Sequence, residues 1–184
     1  MSDGRRTDTR ERIRATALAM FTTQGYERTT LAEVADRLAI TRPAVYHHFR
    51  SKEDVLTSSY HQVVPELAEL AKSLQPAPAP WPRRSEALDR LAALVRGEHG
   101  ALLVCARVNE HALSGLPAAA ELLHHLDALT RSLGPGTDID GRMRARLALS
   151  TLVMAEARSA QLGGTADERA TAALALAREL LNRE

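Results

Sequence analysis

Residues 29–52 read TTLAEVADRLAITRPAVYHHFRSK. Their spacing predicts two short amphipathic helices joined by a tight turn. Thr30 followed three residues later by Glu33 is a capping box that opens the first helix, and Leu31, Val34, Ala35 and Leu38 give it one buried face. Ala39 and Ile40 form the turn, with Ile40 directed into the core. Thr41 caps the second helix. Pro43 falls in the first turn, where its missing N–H costs nothing, while Val45 and Phe49 point inward. Arg42, Pro43, Ala44, Tyr46, His47 and His48 are left for the outer face of the second helix. This is the layout of a helix-turn-helix, whose second helix offers its N-terminal residues to base edges in the major groove.

Upstream, residues 12–30 (RIRATALAMFTTQGYERTT) form an amphipathic helix with Ile13, Ala17, Met20 and Phe21 on one stripe. Asp8 and Glu11 read as a capping pair at its start, Gly25 as the left-handed residue that ends it, and residues 1–6 as a disordered basic arm. Phe21, Leu38, Val45 and Phe49 are expected to carry much of the core of this small head. Downstream, Ser51 and Asp54 start a fourth helix running to about Leu74, with Leu56, Tyr60, Val63, Leu67, Leu70 and Leu74 on one side. Pro65 lies inside it and should kink it. A Pro-rich connector, QPAPAPWP at 75–82, favours an extended chain. Five helical segments follow at about 84–96, 98–114, 117–133, 140–162 and 166–182, punctuated by Gly97, Gly115 with Pro117, the GPGTD stretch, and Gly163 with Gly164. The expectation is an all-α protein of about nine helices, with a head at residues 1–52 and a body at 53–184.

Composition agrees. Of 184 residues, 45% are hydrophobic and only 3% aromatic, with Ala and Leu dominant; that pattern favours helices over sheets. No apolar stretch approaches the roughly 20 residues that span a bilayer, and the polar first 14 residues do not read as a signal peptide. A lone cysteine makes the cytoplasm the default setting. A net charge of +1 argues against binding DNA by bulk charge and for a localised basic surface.

The motif G-Y-x-x-T-T at residues 25–30, together with Y-H-H-F-x-S-K-E at 46–53, resembles the TetR family of one-component bacterial regulators, and the helix layout matches that family over essentially the whole chain. Arg42 can donate two hydrogen bonds to a guanine O6/N7 edge, and Ala44 or the ring of Pro43 can touch a thymine methyl. The resemblance implies that Tyr46, His48 and Lys52 reach backbone phosphates. Thr29, Thr30 and Thr41 stand where hydroxyls and helix N–H groups meet phosphate, and His47 completes the reading face. Each assignment has a plainer rival: Thr30, Thr41 and Ser51 are needed as caps in any case, Tyr46 could simply cover the core, and the adjacent histidines could be ordinary surface residues. They do not suit one metal ion, since helix neighbours point about 100° apart.

One head contacts too few base pairs for selectivity in a genome, so a dimer on a palindromic DNA operator is expected. The last two helices, with Met143, Leu147, Leu152 and Met154 in the first and alanine and leucine on more than one face of the second, are the natural homodimer surface; an intramolecular core is the alternative. The resemblance implies a small-molecule effector of unknown identity among the middle helices. Candidate contacts are Tyr60, Trp81, Cys105, Asn109 and His125. Asn109 has a competing reading, because a buried amide usually pairs with backbone. Cys105 lies in an apolar run, which disfavours a redox-sensing role. No Gly-rich phosphate loop, metal-ligand spacing or nucleophile elbow is present, so no cofactor is called for and an enzyme is the weaker reading. A binding protein with a vestigial head is opposed by intact Arg42, Tyr46, His48 and Lys52.

Overall fold

A computed structural model describes residues 3–156 and 162–182. Ten α-helices, and no strands, occur among the described residues: α1 (Asp3–Gln24), α2 (Leu31–Leu38), α3 (Arg42–His48), α4 (Lys52–Ser73), α5 (Trp81–Arg96), α6 (Gly100–Val108), α7 (Glu110–Leu113), α8 (Pro117–Leu133), α9 (Ile139–Glu156) and α10 (Ala166–Leu181). None of them is long and apolar enough to cross a membrane.

The local signals act as written. Thr30 accepts from the Glu33 N–H while the Glu33 carboxylate accepts from the Thr30 N–H at 2.7 Å. These bonds favour the ionised carboxyl and hold it below the usual carboxylate range. Thr41 accepts from the Ala44 N–H, and Ser51 from the Asp54 N–H. Gly25 ends α1 with φ +95° and donates to the Phe21 carbonyl. Between α2 and α3 the turn residue Ala39 is left-handed at φ 53°, a conformation that costs a side-chain-bearing residue about 1–2 kcal/mol.

Five sequence expectations are corrected. Residues 3–6 belong to α1 rather than to a disordered arm, whose first two residues lie outside those described; Asp8 and Glu11 are therefore inside the helix, not at its cap. Leu38 is only half-buried, whereas Phe21, Val45 and Phe49 are fully enclosed. α5 starts at Trp81, inside the expected connector, because Pro82 sits comfortably in a first turn. The segment expected as one helix at 98–114 is two, broken at Asn109, whose φ of −104° and ψ of 19° leave the helical region; this accounts for ten helices where nine were expected. The end of α9 expected at 157–161 lies outside the described residues. Pro65 is accommodated within α4, where it cannot donate to the His61 carbonyl.

In the head, α2 packs on α1 and α3; α1 in turn lies against α4 and against α6 of the body, while α4 packs along α8, and α9 along α10. Buried side chains run continuously from Ile13 and Phe21 in the head through Leu56, Val63 and Leu67 of α4 to Leu122, Leu129 and Leu181 of the body. The buried Arg84 of α5 donates to the Leu181 carbonyl at 2.7 Å, satisfying one of the acceptors left open at the end of α10.

Candidate nucleic-acid interface

α3 is short, and α1 and α4 set its position. Arg10 donates to the His48 carbonyl at 3.1 Å and to the Ser58 hydroxyl at 3.2 Å, and its guanidinium lies 4.4 Å from the centre of the Phe49 ring. Phe49 is itself buried and anchors the helix end. Clamped in this way, α3 exposes Arg42, Pro43, Tyr46 and His47, with Ala44 and His48 half-buried beside them and Thr41 exposed at the cap. Arg42 approaches Asp36 only to 3.9 Å, and both side chains are mostly exposed; such a pair contributes roughly 0–1 kcal/mol and does not tether the guanidinium. Thr30 is exposed just before α2.

Two expected phosphate contacts are differently employed. Thr29 is completely buried, and its hydroxyl donates to the Gly25 carbonyl at 2.9 Å; it braces the turn rather than facing DNA. Lys52 donates to the carbonyls of Tyr26 at 2.7 Å and Glu27 at 3.2 Å, with its ammonium 4.5 Å from the centre of the Tyr26 ring. Partial burial lowers its pKa, opposed by Glu27 and Glu33. Two of the three ammonium donors are thus spent on the turn between α1 and α2.

Asn109 grips that turn from the other side. Its side-chain oxygen accepts from the Tyr26 N–H at 2.8 Å, and its amide nitrogen donates to the Phe21 and Cys105 carbonyls at 3.0 Å each. The amide is 7% exposed and fully engaged, so it is a structural tie between head and body and not an effector contact. Helix continuity between α6 and α7 gives way to this geometry. Cys105 is enclosed next to it, and burial pushes its thiol up to about 12. Tyr60 is buried nearby with its pKa raised by desolvation; its hydroxyl has no hydrogen-bond partner among the described residues.

The body carries a narrow apolar cleft of about 80 Å³ between α6, α7, α8 and α9. Leu103, Ala106, Leu123, Leu126, Leu149 and Val153 form its walls, and Arg107, Glu110 and Arg146 stand at its polar edge. None of the five effector candidates lines it. Tyr60, Cys105 and Asn109 belong to the packed seam between head and body. Trp81 is half-buried at the start of α5 with Arg84 beside its ring, and His125 is half-buried against His124. Sequence reasoning missed Arg107, Glu110 and Arg146 because each looks like a solvated charge on an amphipathic helix.

The described residues thus form a helix-turn-helix head joined by one long helix to an all-helical body. Residues 13–58 match the family model for bacterial regulatory proteins of the tetR family. Over 68 residues the chain is 34% identical to the HTH-type transcriptional regulator AcrR of Shigella flexneri, covering 37% of this chain and 32% of that one; the match thus spans about a third of the curated relative's length. Among solved structures, the ketosteroid transcriptional regulator KstR2 of Mycobacterium tuberculosis superposes with a TM-score of 0.68 at 20% identity over 96% of both chains. AibR, in complex with isovaleryl coenzyme A and operator DNA, superposes with a TM-score of 0.61 at 22% identity over 91% of this chain and 97% of that one. The likeness to the tetR family is thus one of sequence over residues 13–58 and one of fold over the rest of the chain.

Proposed function

We propose that the protein is a sequence-specific DNA-binding transcriptional regulator of the cytoplasm: a homodimeric repressor that leaves a palindromic operator when a small molecule enters its body. The observation that carries this reading is the clamped α3, which projects Arg42, Pro43, Tyr46 and His47 from a rigid support. In it, Arg42 reads a guanine, Pro43 or Ala44 meets a thymine methyl, and Thr30, Thr41, Tyr46, His47 and His48 fix the register on the backbone. Residues 1–52 form the reader, and residues 53–184 the effector-binding and dimerisation domain.

Dimerisation is supported by α9, which exposes Ile139, Met143, Leu147 and Met154 within one sector of its surface, and by the exposed Leu176 of the adjacent α10. Large apolar side chains aligned in this way mark an association surface rather than a solvated one. A second copy placing its own α9 and α10 there completes a four-helix bundle and sets the two heads about one DNA turn, or a multiple, apart. The effector acts on the ties between head and body, α4 and Asn109, and shifts the population of head spacings.

The test is retention of fragmented genomic DNA on the purified protein, followed by sequencing. Enrichment of a palindrome, with preference at one position relaxed in Arg42→Ala, is the expected result. Retention that is salt-sensitive but independent of sequence refutes it.

A further inference from the structure

Glu110 is shared by two guanidiniums. Arg107, one turn earlier, donates to it at 3.2 Å, and Arg146 of α9 pairs with its other oxygen. The three side chains are 37–49% exposed, so water and ligands reach them. Two positive groups on one carboxylate leave the edge of the cleft with an unbalanced positive charge, directly beside walls that are almost wholly aliphatic. The pairing of a guanidinium fork with a planar carboxylate is the same whether the carboxylate comes from Glu110 or from a ligand. Space limits the rest of the ligand, because clefts that hold drug-sized molecules run to roughly 300–1,000 Å³ and this one has about 80 Å³. A volume of that order suits a short aliphatic chain better than fused rings.

We infer that the cleft binds a small amphipathic monocarboxylate, whose chain lies between α6, α8 and α9 and whose carboxylate takes the place of Glu110 on Arg146 and Arg107. This deepens the reading of residues 53–184 as an effector-binding body and rests on it. The displaced Glu110 opens α7, and the residue immediately before it is Asn109, which holds the Tyr26 turn of the head. Occupancy of the cleft is therefore communicated through one peptide bond to the element that carries Thr30.

Calorimetric titration of the full-length chain, without DNA, tests this with butanoate, hexanoate and octanoate against the amides and amines of equal chain length. At least one carboxylate is expected to bind tenfold or more tightly than its amide, and the amines not at all. Arg146→Gln is expected to weaken that binding at least tenfold with its melting temperature nearly unchanged, because exposed pairs contribute little to stability. Glu110→Gln is expected to strengthen it several-fold by removing the internal competitor, a gain that a purely structural Glu110 would not produce. Equal affinity for acid and amide, no binding by any acid of the series, or weaker binding in Glu110→Gln overturns the inference. Release of an enriched operator fragment is measured separately, so a carboxylate that binds the cleft without releasing DNA would refute the effector role while leaving the ligand class standing.

Discussion

Replacing Asn109 by Leu removes four side-chain hydrogen bonds, the weakest of them the 3.7 Å bond to the Cys105 sulfur, yet their loss is unequal. The Phe21 carbonyl keeps the Gly25 N–H at 3.1 Å, and the Cys105 carbonyl keeps the backbone N–H of residue 109 at 3.0 Å. Among the described residues the Tyr26 N–H has only the Asn109 oxygen, and in a buried turn it is left without an acceptor. One orphaned buried donor costs about 1–3 kcal/mol; the Leu side chain has the same branching and number of heavy atoms and so leaves no cavity, while its bulkier methyls, set where hydrogen bonds of 2.8–3.0 Å stood, push in the same direction. For a chain of this size roughly 2–4 °C of melting temperature corresponds to each kcal/mol. Asn109→Leu is thus expected to unfold in urea with a stability loss of about 2 kcal/mol and to melt several degrees earlier. The Tyr26 amide is expected to exchange with deuterium faster than its neighbours in α1, whose own bonds are untouched. A loss below about 0.5 kcal/mol, the ordinary spread of surface substitutions, or unchanged exchange at Tyr26, would refute the assignment of Asn109 as the tie between head and body.

Four further outcomes are expected. Arg10→Ala frees the end of α3 at a cost of about 1 kcal/mol in stability, and weakens operator binding by more than that stability loss implies, as read by fluorescence anisotropy; unaltered operator affinity would mean that α3 positions itself. Ala39→Gly relieves the left-handed turn, about 1–2 kcal/mol, against the roughly 0.5–1 kcal/mol of chain entropy that glycine costs, so a small net stabilisation is expected in chemical denaturation, and Ala39→Val should destabilise. Cys105, with burial pushing its thiol up to about 12, stays protonated at pH 8 and should react with Ellman's reagent only as fast as the protein unfolds. Leu147→Glu places a charge in the exposed stripe of α9 and should shift the sedimentation of a dimer to that of a monomer while leaving the helical circular dichroism intact.

Signals confined to a few residues were legible before any coordinates. The Thr30–Glu33 box, the Thr41 and Ser51 caps and the terminating Gly25 each act within four residues, and the reading face of α3 follows from where those caps start the helix. What remained hidden depends on partners distant in the chain. Asn109 looks like a polar residue in an apolar stripe; its role exists only because Phe21 and Tyr26, more than 80 residues earlier, come to lie beside it. Arg10 reads as one more charge on a solvated face until Phe49 and His48 are set against it. Thr29 sits one residue before the capping Thr30, and no periodicity tells which of two adjacent threonines turns inward. The charged rim of the cleft was invisible for the same reason: Arg107 and Glu110 form an ordinary helical pair until α9 brings Arg146 to them.

The turn at Gly25–Glu27 is held by Lys52 on one side and Asn109 on the other. A chimera that joins this head to another body moves the reader as a cassette. Here a cassette ending at residue 52 carries one of these supports and abandons the other. A chimera would inherit the operator preference of its donor but a loosened mounting unless the recipient offers an amide at the position of Asn109, and compatibility at that single residue becomes the rule for choosing which bodies can be paired with this reader.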